Sequence, residues 1–211
     1  MVTIFATLGY VPESVLPSLR TTGVERLVVF ASAKDPKVEA AVRKVKAHCE
    51  KADIPFTRVS IAKPYDLEYV AEVIKETMDH VKDKEAIFNI TGGTKVMAAA
   101  ALIVCFLKGV PTEYAQERSM EVIRLPLMKI DVRSQLTRRG KDIVRFLLAQ
   151  KEQSAPTGKI KKALGMEKST FSIHLSRLRD KGLVTVERDP RSTRGQVVRA
   201  IPTLRLLMME D

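Results

Sequence analysis

Short apolar, β-branched runs alternate with helical patterns through residues 1–130, and this alternation restricts the fold more than any other feature. The runs are 3–8, 27–31, 56–61 and 86–90. Segments this short and this apolar read as strands buried on both faces of a parallel sheet. Val38, Val42, Val45, Cys49 and Ala52 step by alternating four and three residues, and Leu67, Val70, Ile74, Met78 and Val81 do nearly the same. Each set lays one apolar stripe along a helix. Asp35-Pro36 reads as a helix start, with Asp at N-cap and Pro at N1. Residues 96–107 are apolar nearly all round, which predicts a helix buried against the sheet. Residues 112–117 and 120–125 read as a closing hairpin that turns at 117–119. The expected fold is therefore α/β: a Rossmann-like, mostly parallel sheet with helices on both faces.

Ligands of such sheets bind beyond the carboxyl ends of the strands. That rule singles out the loops Thr7-Leu8-Gly9-Tyr10 and Ser32-Ala33-Lys34, and the segment after Ile90. In Asn89-Ile90-Thr91-Gly92-Gly93-Thr94-Lys95, a strand passes into a helix through two glycines. The glycines remove side chains where a ligand can approach, and the free amides and dipole of the helix start favour an anion. Thr91 and Thr94 add hydroxyls and Lys95 a full charge. The spacing is not that of a Walker A loop, and no GxGxxG follows the first strand. A tight turn that merely needs glycine is the competing reading.

Composition closes off several classes. The 2 Cys, Cys49 and Cys105, stand far apart, so neither a disulfide framework nor a cysteine zinc site is expected. Both read as core residues. His48, His80 and His174 lack metal-ligand spacing, so no metal is expected. No apolar run reaches the ~20 residues of a bilayer span. No basic region precedes the first apolar stretch, as a signal peptide requires. A soluble, cytoplasmic protein without a membrane partner is expected.

Charge is unevenly placed. Residues 1–130 hold 18 Lys+Arg against 16 Asp+Glu, whereas residues 131–211 hold 18 against 9. The first part is nearly neutral, and the second carries most of the net +11. The asymmetry divides the chain into 1–130 and 131–211 and points to nucleic acid as the partner of the second part. There, Leu136, Ile143, Phe146, Leu147 and Leu148 form a helical pattern that runs to Gln150. Residues 151–158 are a polar break. Ile160, Ala163 and Leu164 mark a short helix ending at Gly165, and a second helix runs from about Lys168 to Lys181. Two short helices across a Gly-bearing turn make a helix-turn-helix pattern. Residues 183–187 and 196–200 then read as strands, with 189–195 between them as a wing.

On the second helix, Phe171, Leu175 and Leu178 share one stripe, so the opposite face is free for DNA. Ser169, Thr170, Ser172, Ile173, Ser176 and Arg177 are the expected DNA contacts, with Ile173 suited to a thymine methyl and Arg177 to guanine or phosphate. Arg191 and Arg194 on the wing are expected at the backbone or minor groove. His174 is expected to pack against the domain. Residues 203–209 either close the domain or join a dimer seam.

Two resemblances sharpen this reading. The segment from Asn89 to Met97 is similar to the signature of CARF domains, the CRISPR-associated Rossmann-fold sensors. Thr7, Leu8, Gly9 and Tyr10 stand where that family places its other ligand loop. Residues 169–175 resemble the Ser-Thr-x-Ser-x-His-Leu pattern of winged-helix regulators of the MarR and ArsR type. Together these imply a homodimeric transcriptional regulator of CRISPR-Cas loci in antiviral defence. Its ligand would be a cyclic oligoadenylate, most simply cyclic tetra-adenylate. The expected contacts are Thr7, Leu8, Gly9, Tyr10, Asn89, Thr91, Gly92, Gly93, Thr94 and Lys95, with Asn89 reaching a base or ribose and Lys95 a phosphate. The winged helix would bind palindromic promoter DNA. No catalytic residue is expected. The alternatives are a CARF domain that also cleaves its ring by attack of a ribose 2′-hydroxyl, and a DNA-binding protein whose Rossmann domain only dimerises.

Overall fold

The computed structural model describes residues 2–20, 23–81, 85–116, 119, 121–126, 129–189 and 195–208. The chain divides into two compact units that meet between Ile130 and Asp131.

The first unit is built on a six-stranded sheet. Its strands are β1 (Val2–Leu8), β2 (Val24–Ser32), β3 (Phe56–Ile61), β4 (Glu85–Asn89), β5 (Thr112–Ala115) and β6 (Val122–Arg124), in the spatial order β3-β2-β1-β4-β5-β6. Every pairing is parallel except β5 with β6. The mostly parallel α/β sheet read from the sequence is therefore present. Three helices connect the strands: α1 (Pro36–Lys51), α2 (Leu67–His80) and α3 (Lys95–Lys108).

The chain steps outward from β1 to β2 to β3, then returns to place β4 on the other side of β1. Right-handed crossovers put α1 on one face and α2 with α3 on the other. Period-two alternation sorts the side chains accordingly. Ile4, Ala6 and Leu8 of β1 join Leu27, Val29 and Ala31 of β2 beneath Val38, Val42, Val45 and Cys49 of α1. Phe5, Phe30 and Phe88 point the opposite way, with ring centroids 5.7–6.4 Å apart. Such aromatic contacts add about 0.5–1.5 kcal/mol each beyond area burial. Glu39 of α1 holds Arg58 of β3 at 2.6 Å, tying helix to sheet edge.

Two features depart from the sequence expectation. The link from β1 to β2 contains short 3-10 turns at Pro12–Ser14 and Leu16–Arg20, which no periodic pattern announces. Helix α3 is only partly enclosed. Met97, Ala100, Ala101, Val104 and Cys105 are buried, but Leu102, Ile103 and Phe106 remain half-buried. The hairpin turn expected at 117–119 falls mostly outside the described residues.

The second unit packs four helices with a three-stranded antiparallel sheet. The helices are α4 (Arg138–Leu148), α5 (Thr157–Leu164), α6 (Lys168–Asp180) and α7 (Leu204–Met208). The strands are β7 (Ser154–Pro156), β8 (Val184–Arg188) and β9 (Gln196–Ala200), in the order β7-β9-β8. Ile143, Leu147, Ile160, Phe171, Leu178, Val198 and Leu204 form its core. Strand β7 lies inside the expected polar break; it has three residues and ends in proline, too little for an alternation to show. Burial of Leu204 and Leu206 shows that the last helix closes this unit's core.

Candidate functional site

Two loops meet at the carboxyl ends of β1 and β4, where the strand order reverses. They interlock backbone to backbone. A Cβ on Gly92 would stand 2.6 Å from the Thr7 carbonyl oxygen, and one on Gly9 would stand 2.9 Å from the Gly93 nitrogen. Gly93 itself has φ +81°, a conformation that favours glycine. The glycines therefore let the two loops approach each other.

Asn89 fixes this junction from below. It is fully buried. Its Nδ2 donates to the Ser14 carbonyl at 3.0 Å and to Ser18 Oγ at 2.7 Å, and its Oδ1 accepts from the Thr91 amide at 2.8 Å. The expectation that Asn89 reaches a ligand base or ribose is thereby corrected, because its polar atoms are spent inside the fold. Thr91 Oγ1 accepts from the Ala115 amide at 2.7 Å and ties β4 to β5. Leu8, also expected at the ligand, is a core residue with no exposed surface. Thr7 is equally buried, and its hydroxyl has no hydrogen-bond partner.

Beyond these loops lies a cleft of about 510 Å³. Gly9, Tyr10, Gly93, Thr94 and Lys95 line it, so part of the expected set does converge. Thr7, Leu8, Asn89, Thr91 and Gly92 are not among the residues that line it. Ser32 and Ala33, from the second flagged loop, also line it. Asp35, Val38, Pro64, Tyr65 and Val96 were missed. The carboxyl-end rule would have found Pro64 and Tyr65 had it been applied to β3 as well. Asp35 was legible only as a helix cap.

Three helices begin around this end of the sheet, and their caps differ in charge. Asp35 caps α1: its Oδ1 accepts from the Lys37 and Val38 amides at 2.9 and 3.4 Å. Asp66 caps α2 through the Tyr69 amide at 3.1 Å. Thr94 caps α3 and is neutral. Its hydroxyl oxygen accepts from the Met97 amide at 3.1 Å while donating to the Pro64 carbonyl at 2.8 Å. A carboxylate at a helix start neutralises the local positive end, so α3 alone of these starts keeps its full attraction for an anion. The Thr94 hydroxyl is already committed. What α3 offers is the exposed Lys95 ammonium and the first-turn amides.

Tyr10 and Tyr65 project their rings, 61% and 78% exposed. The Tyr10 hydroxyl donates to Asp35 Oδ2 at 2.9 Å, and Lys37 lies over the ring at 5.7 Å. The hydrogen bond to Asp35 raises the phenol above its ordinary pKa, so Tyr10 remains a donor. Burial pushes the Cys49 and Cys105 thiols up to about 11 and about 12, so neither is a nucleophile.

In the second unit, the α6 face opposite Phe171, Leu175 and Leu178 is open. Ser169, Ser172 and Arg177 are exposed, Thr170 and Ser176 half-buried, and Ile173 is 53% exposed. Ser176 lies between Arg179 and Asp180, each at 3.4 Å, which leaves it less free than the sequence suggested. His174 is half-buried, its Nδ1 3.1 Å from Thr137 Oγ1, the hydroxyl that caps α4. Arg191 and Arg194 lie outside the described residues. Among the described residues no cluster of His, Cys, Asp and Glu is arranged to hold a metal, and no helix is long and apolar enough to cross a membrane.

Comparison with known proteins adds the following. A family model, the Csa3 CRISPR-associated Rossmann-like domain, matches residues 2–126. The crystal structure of protein VC1899 from Vibrio cholerae is similar in fold, with a TM-score of 0.52 at 12% identity, over 98% of this chain and 64% of that one. Can2 from Sulfobacillus thermosulfidooxidans, solved with cyclic tetra-adenylate, gives 0.48 at 18% identity over 58% of this chain and 37% of that one. AbsC, a MarR family transcriptional regulator from Streptomyces coelicolor, gives 0.34 at 20% identity over 36% and 51%. The chain thus spans less than two thirds of each of these structures. It matches none of the curated proteins.

Proposed function

Since the chain belongs to the family of the Csa3 CRISPR-associated Rossmann-like domain, matched over residues 2–126, we propose that it is a sensor of cyclic oligoadenylate that regulates transcription. The observation that carries this reading is the cleft beside the interlocked glycine loops, with one neutral helix start and Lys95 facing it. A phosphodiester ligand needs amides, a dipole and a cation without a competing carboxylate, and α3 supplies these. The exposed rings of Tyr10 and Tyr65 offer surfaces for bases.

The ligand is a ring, most simply cyclic tetra-adenylate, and two copies of the chain hold it. A ring of four identical nucleotides can carry a two-fold axis, and an isologous dimer presents one cleft twice about such an axis. The half-buried Leu102, Ile103 and Phe106 on α3 support a second copy covering that side. The second unit is read as a winged helix-turn-helix, with α5 and α6 as the paired helices, β8 and β9 flanking the wing, and α6 entering the major groove. Its exposed Ile173 and Arg177, and the excess of positive charge in residues 131–211, support promoter DNA as partner. Binding of the ring changes the affinity for DNA, and couplings of this kind are typically about 1–3 kcal/mol.

We read the site as binding the ring rather than cleaving it. Among the described lining residues there is no histidine, and the carboxylate present, Asp35, is engaged by Tyr10 and two amides. The test is a titration of palindromic promoter DNA with and without cyclic tetra-adenylate, together with chromatography of the recovered ring. A ligand-dependent shift with intact ring supports the proposal. Equal DNA affinity in both arms removes the sensor function, and linear products turn the reading towards a ring nuclease.

A further inference from the structure

The lining of the cleft carries two unlike groups: the neutral start of α3 with Lys95, and the Asp35 carboxylate, which accepts from the Tyr10 hydroxyl. A phosphate is drawn to the first. The carboxylate is an acceptor and suits a donor on a base.

Asp35 has a defined capacity there. A carboxylate offers about four lone-pair sites. Oδ1 accepts the Lys37 amide at 2.9 Å and, more weakly, the Val38 amide at 3.4 Å; Oδ2 accepts the Tyr10 hydroxyl and retains one site. Adenine presents one exocyclic amino group, which a single remaining site can accept.

Resting on the reading of the cleft as a nucleotide-ring site, we infer that the remaining lone pair on Asp35 Oδ2 accepts the exocyclic amino group of an adenine. Asp35 is thereby the residue through which the cleft distinguishes an adenine from a purine that lacks the amino group. The Tyr10 hydroxyl holds the carboxylate in place, and Asp35 caps α1 at the same time.

The test compares two rings by calorimetry: cyclic tetra-adenylate, and the same ring built from purine ribonucleotides that lack the exocyclic amino group. The wild-type chain is expected to prefer the adenylate ring by about a hundredfold or more, because a ring held by two chains loses two charge-assisted hydrogen bonds. Asp35→Asn keeps a good helix cap but turns a donor towards the cleft. It should lower that preference to about twofold or less, and Asp35→Ser, also a good cap, should do the same. Thermal melting checks that both variants fold. A variant that folds and keeps the wild-type preference overturns the inference while the ring site stands. Stronger binding of both rings by Asp35→Asn also overturns it, because that result places a phosphate beside residue 35. If neither ring binds the wild-type chain, the ring site and the inference fall together.

Discussion

Gly92 illustrates how a residue can be legible as a type while the neighbour that requires it is not. Its Cβ direction runs into the Thr7 carbonyl 2.6 Å away, so Gly92→Ala must push β1 and β4 apart. Overpacking of this kind costs about 1–3 kcal/mol, and the variant is expected to melt earlier and lose ring binding together. Thr7→Val is the contrasting case. The Thr7 hydroxyl is buried without a partner, so its removal should leave ring affinity unchanged and stability equal or higher. A drop in ring affinity with Thr7→Val would show that the hydroxyl serves the ligand after all. The signature from Asn89 to Lys95 was visible in the sequence, but the division of labour within it was not. That division depends on Ser14, Ser18 and Ala115, distant residues that meet Asn89 and Thr91 only in the fold. The cysteines were readable as core. Their raised pKa values give a signed pH effect: as pH rises past the ordinary value of 9.0, the unfolded chain ionises these thiols while the folded chain does not. Their contribution to stability therefore falls between about pH 9 and the folded values. Chemical denaturation of wild-type and Cys49→Ala chains across that range measures the difference.

Helix starts decide the chemistry at the next scale. Asp35 and Asp66 neutralise α1 and α2, whereas Thr94 leaves α3 open to an anion. Lys95→Ala should weaken binding of cyclic tetra-adenylate by about tenfold without changing the melting temperature, since Lys95 is exposed and α3 keeps its cap. Lost stability in place of lost affinity would assign Lys95 to the fold. On α6, Arg177→Ala should cost about 1–3 kcal/mol of DNA affinity if the side chain reads a base, and should relax sequence preference at one position. A uniform loss across sequences would assign it to phosphate. Elements with strong periodicity, such as α1 and α2, were plain from spacing alone. The 3-10 turns after β1, the three-residue β7 and the half-covered side of α3 were not. The first two are too short to show a period, and an apolar helix looks the same whether sheet, neighbour or second copy covers it.

At the scale of the whole chain, the first unit is near-neutral and the second is basic. Affinity for promoter DNA should fall steeply with salt, by about a thousandfold or more between about 50 and about 200 mM if several phosphates are contacted. Ring affinity should change less, because the contacts proposed for the ring mix charge with hydrogen bonding and stacking. The most direct measurement is a calorimetric titration of cyclic tetra-adenylate into the intact chain. Saturation at one ring for every two chains is expected. Absence of heat, or saturation at one ring per chain, would contradict a ring shared between paired clefts.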